Sequence, residues 1–108
     1  MIDAHNHLGR WLSPTGDWIV PEVDGLLASM DAATVELVVN LDGRWGQELE
    51  ANLDRYDRAH PQRFATFCHV DWSIVGQDDT SSGQVDRLVD QLVAAVAAGA
   101  RGVKVWKD

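Results

Sequence analysis

One cysteine, Cys68, stands in a chain of 108 residues. No internal disulfide can form, a reducing compartment is the expected setting, and the thiol reads as a small buried hydrophobe on a core strand. Basic residues are scarce: 9 Lys and Arg against 17 Asp and Glu, a formal charge of −8. The acids are scattered and the bases nowhere cluster, which argues against nucleic acid or an anionic membrane surface as partner. Long apolar runs are missing too. The longest, Leu92 to Ala98, is far too short to span a bilayer. No basic segment followed by an apolar one opens the chain, so no signal peptide is read there. A cytoplasmic, soluble protein of one small domain is the expectation.

What is present is a regular alternation of strand and helix patterns. Ile2 to His7 reads as the first strand, and Leu8 to Pro21 as a long loop with Pro21 suited to a first helical turn. Val23, Leu26, Leu27 and Met30 form the stripe of a first helix. The β-branched run Val35 to Leu41 reads as a buried parallel strand closed by Asp42-Gly43. Gly46 to Ala59 is the second helix, with Leu49, Leu53 and Tyr56 on one face, ended by His60-Pro61. Phe64 to Val70 is the third strand. After a polar loop at 77–83 comes a third helix, Gln84 to Ala98, with a stripe of Val85, Leu88, Val89, Leu92 and Val96 and with Gly99 at its C-cap. Gly102 to Trp106 is the fourth strand.

Four parallel strands and three helices in this order fit either an open doubly wound sheet or half of a (β/α)8 TIM barrel. A nucleotide-binding open sheet calls for a glycine-rich turn after its first strand, and Leu8-Gly9-Arg10-Trp11 is not one. The barrel is favoured by His5 and His7, a His-x-His pair at the end of the first strand. Strand alternation places the two imidazoles on one face, roughly 7 Å apart along the strand, where they can share a divalent ion. Extending the alternation puts Asp3 on that face, with Asn40 and Asp42 above Val38 on strand two. It adds His69 and Asp71 above Ala65 and Phe67 on strand three, and Lys104 and Trp106 on strand four. Lys107 would then face outward. Polar groups gather at the strand ends where a barrel builds its active site.

These residues resemble the amidohydrolase superfamily, in particular its amidohydrolase-related branch of metal-dependent hydrolases and decarboxylases. The likeness rests on Ile2-Asp3-Ala4-His5-Asn6-His7-Leu8-Gly9, on Ala51-Asn52 followed by His60-Pro61-Gln62-Arg63-Phe64, and on Gly99-Ala100-Arg101-Gly102-Val103-Lys104-Val105. It implies that His5 and His7 ligate a divalent metal, usually zinc. Lys104 is either the counterpart of the carboxylated lysine that two-metal members carry on the fourth strand or, as in the one-metal branch, a residue that contacts substrate or plays no direct part. The implied reaction is hydrolysis, or assisted decarboxylation, of a small carbonyl or carboxylate substrate. The family's remaining ligands come from strands five, six and eight, so residues 1–108 read as the N-terminal half of the barrel, inactive alone. The alternative is a non-catalytic stand-alone half-barrel that covers its open edges as a homo-oligomer or with a partner. Trp11, Trp18, Arg10 and Arg44 in the loops are candidates for substrate contact, with solvated surface roles as their ordinary reading.

Overall fold

The computed structural model describes residues 1–74 and 81–105. The elements run β1 (Ile2–Asn6), α1 (Val23–Ala32), β2 (Leu37–Asn40), α2 (Gly46–Arg55), β3 (Phe64–His69), a short 3-10 turn (Trp72–Ile74), α3 (Ser81–Ala98) and β4 (Gly102–Lys104). Trp106, Lys107 and most of the polar loop expected at 77–83 lie outside the described residues; Ser81 to Gly83 already belong to α3.

The strands form one parallel sheet in the order β1-β2-β3-β4. That order decides the architecture. Each right-handed crossover lands on the next strand outward, so every helix falls on the same face and the sheet curls as half of a TIM barrel. An open doubly wound sheet reverses its strand order and covers both faces. Two apolar clusters build the helix side: Met30, Val38, Tyr56, Phe64 and Leu8, then Leu49, Leu53, Cys68, Ala95 and Ala100. The opposite, inner face carries Val39, Leu41 and Ala65, with Leu37 and Phe67 against them. Cys68 is buried among the second group, as a small hydrophobe should be.

Element ends shift for local reasons. Pro21 does not open α1; the helix begins at Val23, after an extended Glu22 with φ −131°. Arg55 fixes that entry by donating from Nη2 to the Val20 carbonyl at 2.5 Å. The second helix stops at Arg55 instead of Ala59, because the Arg58 N–H bonds the Leu53 carbonyl at 2.8 Å, a six-to-one closure that satisfies a last-turn carbonyl. Tyr56 then leaves the helix fully buried, its hydroxyl donating to the Leu8 carbonyl at 2.6 Å. On α3 the apolar stripe is rotated from expectation. The small Ala95 meets Leu53 and Cys68, while Val85, Val89 and Val96 are 56%, 50% and 62% exposed. An alanine at the contact lets the helix approach the sheet closely, and the valines are left on the far side.

Register also corrects the expected faces of two strands. In β1, Asp3 pairs with Val38 and Asn6 with Asn40, so a bulge inserts one extra residue between them. Asp3 therefore lies on the helix side, while alternation counted from Asn6 turns His5 and His7 inward. In β2, Asn40 pairs with Thr66 and shares the helix face with Val38; it is not on the inner face. The inner residues there are Val39 and Leu41. On β3 and β4 the expectation holds: His69 lies above Ala65 and Phe67 and pairs with Lys104.

Candidate active site at the C-terminal end of the sheet

Asn40 is the post around which the strand ends are built. It is fully buried; its Oδ1 accepts the backbone N–H groups of Leu8 and Asp42, both at 3.1 Å, and its Nδ2 donates to Asn52 Oδ1 at 2.9 Å. Asn52, one of the residues that carried the family resemblance, is thus an α2 anchor for the site and no ligand in it. The network ties α2, β2 and the exit of β1 together at one level.

Just beyond it, Asp42 reaches the inner residues although its strand has ended. Its side chain is fully buried; Oδ1 lies 2.7 Å from His7 Nδ1, and Oδ2 accepts the Gly9 N–H at 3.0 Å. Glycine is required at position 9, since a Cβ there would stand 2.6 Å from Asp42 Cβ. A carboxylate facing an imidazole nitrogen makes that nitrogen the N–H, so His7 presents the lone pair on Nε2. The His5 and His7 rings meet edge to face with centroids 5.3 Å apart. Two imidazoles on one tetrahedral ion, with N–metal bonds of ~2.0–2.1 Å, hold their centroids about 5 Å apart. The spacing is compatible with two ligands of one metal and is equally that of an ordinary edge-to-face ring contact. Among the described residues no cluster of three or more His, Cys, Asp or Glu side chains completes such a site.

His69 closes the inner wall. It is 2% exposed, its Nε2–H donates to the Leu41 carbonyl, and its ring meets Trp11 at 5.4 Å. Burial pushes its pKa below the ordinary imidazole range; the bond to Leu41 works against this, and the nearby positive charge of Arg44 works with it. A folded pKa below the unfolded one means the unfolded chain binds more protons in acid, so stability falls as the pH drops through and below about 6.5. Urea midpoints measured between pH 7 and pH 5 are expected to decline. His69→Gln, which keeps a donor for Leu41, should flatten that slope; an unchanged slope would assign it to other groups.

The other expected residues divide. Lys104 is half-buried on the inner face, directly beside His69 in register. Asp71 is turned to local work: its Oδ1 accepts the Ser73 N–H at 3.0 Å, opening the 3-10 turn. Arg10 pairs with Glu48 at 2.6 Å and lies over Trp18, so its charge is committed. Arg44 lies over both Trp11 and Trp45, 4.3 and 4.2 Å from the ring centroids. A cleft lies elsewhere, at the N-terminal end of the strands beside Ile2, Asp31, Val35 and Arg63. Arg63 knits that end by donating to the Glu36 carbonyl and to Asp31. In a barrel that end serves stability, and chemistry belongs at the other.

No family model, curated protein or solved structure matches the chain. No helix among the described residues is long and apolar enough to cross a membrane.

Proposed function

We propose that this chain is the N-terminal half of a metal-dependent hydrolase of the amidohydrolase type. In this reading His5 and His7 hold a divalent ion, zinc by the resemblance, and Lys104 contacts a small carbonyl or carboxylate substrate. The observation that carries the reading is the fully buried Asp42 carboxylate on His7 Nδ1. Such a pair stabilises a fold without a metal too, but it also supplies what a metal-ligating histidine needs, an oriented ring and a fixed tautomer. A bound divalent ion supplies Lewis acidity toward a carbonyl and makes water a nucleophile near neutral pH. The chain's own side chains do the rest: Asp42 orients His7, Trp11 shields His69 from one side, and Lys104 brings an amine to the inner face beside it. Hydrolysis and assisted decarboxylation both fit this half-site.

The second half is inferred from surface left over. In the sheet order β1 and β4 are edge strands, and the exposed valines of α3 match the side that a following helix covers in a complete barrel. The same features favour a second reading, a stand-alone half-barrel that covers these surfaces by self-association. Sedimentation tests it, and a monomer with a sharp cooperative melt removes it. The enzyme reading is tested by zinc calorimetry on the chain and on His5→Ala/His7→Ala. Weak binding is expected from two imidazoles, far below that of a closed four-ligand site, and it should vanish in the double variant. Identical binding by both proteins would take these histidines out of the site.

A further inference from the structure

We propose that Arg44 is the receptor for a carboxylate at the C-terminal mouth of the sheet, so that the site takes a small carboxylate-bearing molecule. The inference rests on the hydrolase reading only in calling that molecule a substrate; the anion contact stands without a metal.

Four observations converge on it. First, the backbone at this position is fixed on β3 from both sides. The Gly43 N–H donates to the Phe67 carbonyl at 3.0 Å, and the Arg44 carbonyl accepts the His69 N–H at 2.8 Å. Arg44 is held at φ 54°, the left-handed region that residues other than glycine seldom occupy. The strain is tolerated where it sends this side chain off the strand end beside His69.

Second, the guanidinium lies over two indoles, Trp11 at 4.3 Å and Trp45 at 4.2 Å. Stacking engages the faces of the guanidinium, while its N–H donors lie in its plane and form the fork that matches a carboxylate. The two indole contacts hold the side chain in place and cut the rotamer freedom that binding would otherwise remove.

Third, the nearby carboxylates are engaged elsewhere: Glu48 with Arg10, Asp42 with His7 and the Gly9 N–H. Among the described residues no carboxylate stands within ion-pair reach of Arg44. Half-buried Arg55 also lacks an acidic partner there, but its guanidinium is committed to the Val20 and Pro21 carbonyls.

Fourth, α2 begins two residues on, at Gly46, and its Trp45 cap makes no side-chain hydrogen bond. Helices of a half-barrel start at the C-terminal end of the strands, so the N–H groups of this first turn add positive potential at the same mouth.

The test uses the 108-residue chain in excess chelator, so its outcome is independent of zinc. Benzoate is titrated at constant ionic strength and followed by 1H–15N spectra, with the Trp11 and Trp45 indole N–H signals as reporters. Neutral benzamide serves as the isostere. Saturable shifts with benzoate and none with benzamide are expected. Arg44→Met should weaken the response about tenfold or more, Arg44→Lys should fall between, and Arg10→Gln and His5→Ala/His7→Ala should retain it. Three outcomes overturn the proposal: equal response to benzamide, shifts that rise without saturating, or undiminished benzoate binding in a folded Arg44→Met. The benzamide comparison needs no variant, so a poorly folding Arg44→Met leaves the test decisive. Loss of zinc binding with benzoate binding intact would sink the metal reading and spare this one.

Discussion

Asp42→Asn is expected to weaken zinc binding by roughly 10–100-fold while the fold persists. The amide has the carboxylate's shape, and its oxygen can go on accepting the Gly9 N–H now held at 3.0 Å. Its NH2 group then faces His7 Nδ1, which must accept instead of donate, and the ring proton moves to Nε2. The nitrogen that would ligate the ion is thereby occupied by hydrogen. Long-range 1H–15N spectra of the imidazole report the tautomer directly, and calorimetry reports the affinity. Asp42→Ala separates the roles: with the Gly9 N–H buried and unmatched, stability should fall by about 2–3 kcal/mol in urea denaturation. A switched tautomer with unchanged zinc affinity would detach His7 from the metal.

Gly43→Ala should be strongly destabilising. A Cβ at that position would stand 2.3 Å from the Phe67 carbonyl oxygen and 2.8 Å from Thr66 Cγ2, against backbone that cannot swing aside. Relief requires the turn after β2 to lift off β3, which breaks the Gly43 N–H bond to Phe67 and the His69 N–H bond to Arg44. A loss of about 3 kcal/mol is expected. Gly25→Ala is the matched control. That glycine lies inside α1 with open space around it, so a methyl group there should stabilise by about 0.5–1 kcal/mol through helix propensity. Denaturation midpoints with unchanged m-values decide both, and an unaffected Gly43→Ala would show that the turn is looser than its contacts imply.

Architecture was legible because periodicity survives without tertiary context. The β-branched run at 35–41, the stripe through Leu26 and Met30, and the glycine after Ala98 each carry a local physical signal. Faces were harder to read. A parallel strand is buried on both sides, so Val38 and Val39 look alike in sequence, and only the pairing of Asn40 with Thr66 tells which side meets the helices. The bulge in β1 leaves no mark in Ala4 or His5, and it moved Asp3 away from the histidines with which alternation had grouped it. The valines of α3 misled for a related reason, since the pattern that marks a buried stripe also marks a stripe awaiting cover. Of the candidate site, His5, His7, His69 and Lys104 were visible as side-chain types on the right strands. The service of Asp42 to His7 and the seating of Arg44 over two indoles depend on where loops fold back, which no short-range pattern encodes.

The extra residue in β1 separates the strand into two lengths with different obligations. From Asn6 onward the chain is tied to β2 by the Asn6–Asn40 pairing and by Asn40's hold on Leu8. Before it, Ile2 and Asp3 keep their own register with Leu37 and Val38. Removing Ala4 would turn the bulge into an ordinary strand and leave both histidines facing inward. The register upstream of His5 can thus shift by one residue while the imidazoles stay where they are, much as an expansion joint lets one side of a bridge move without shifting the other.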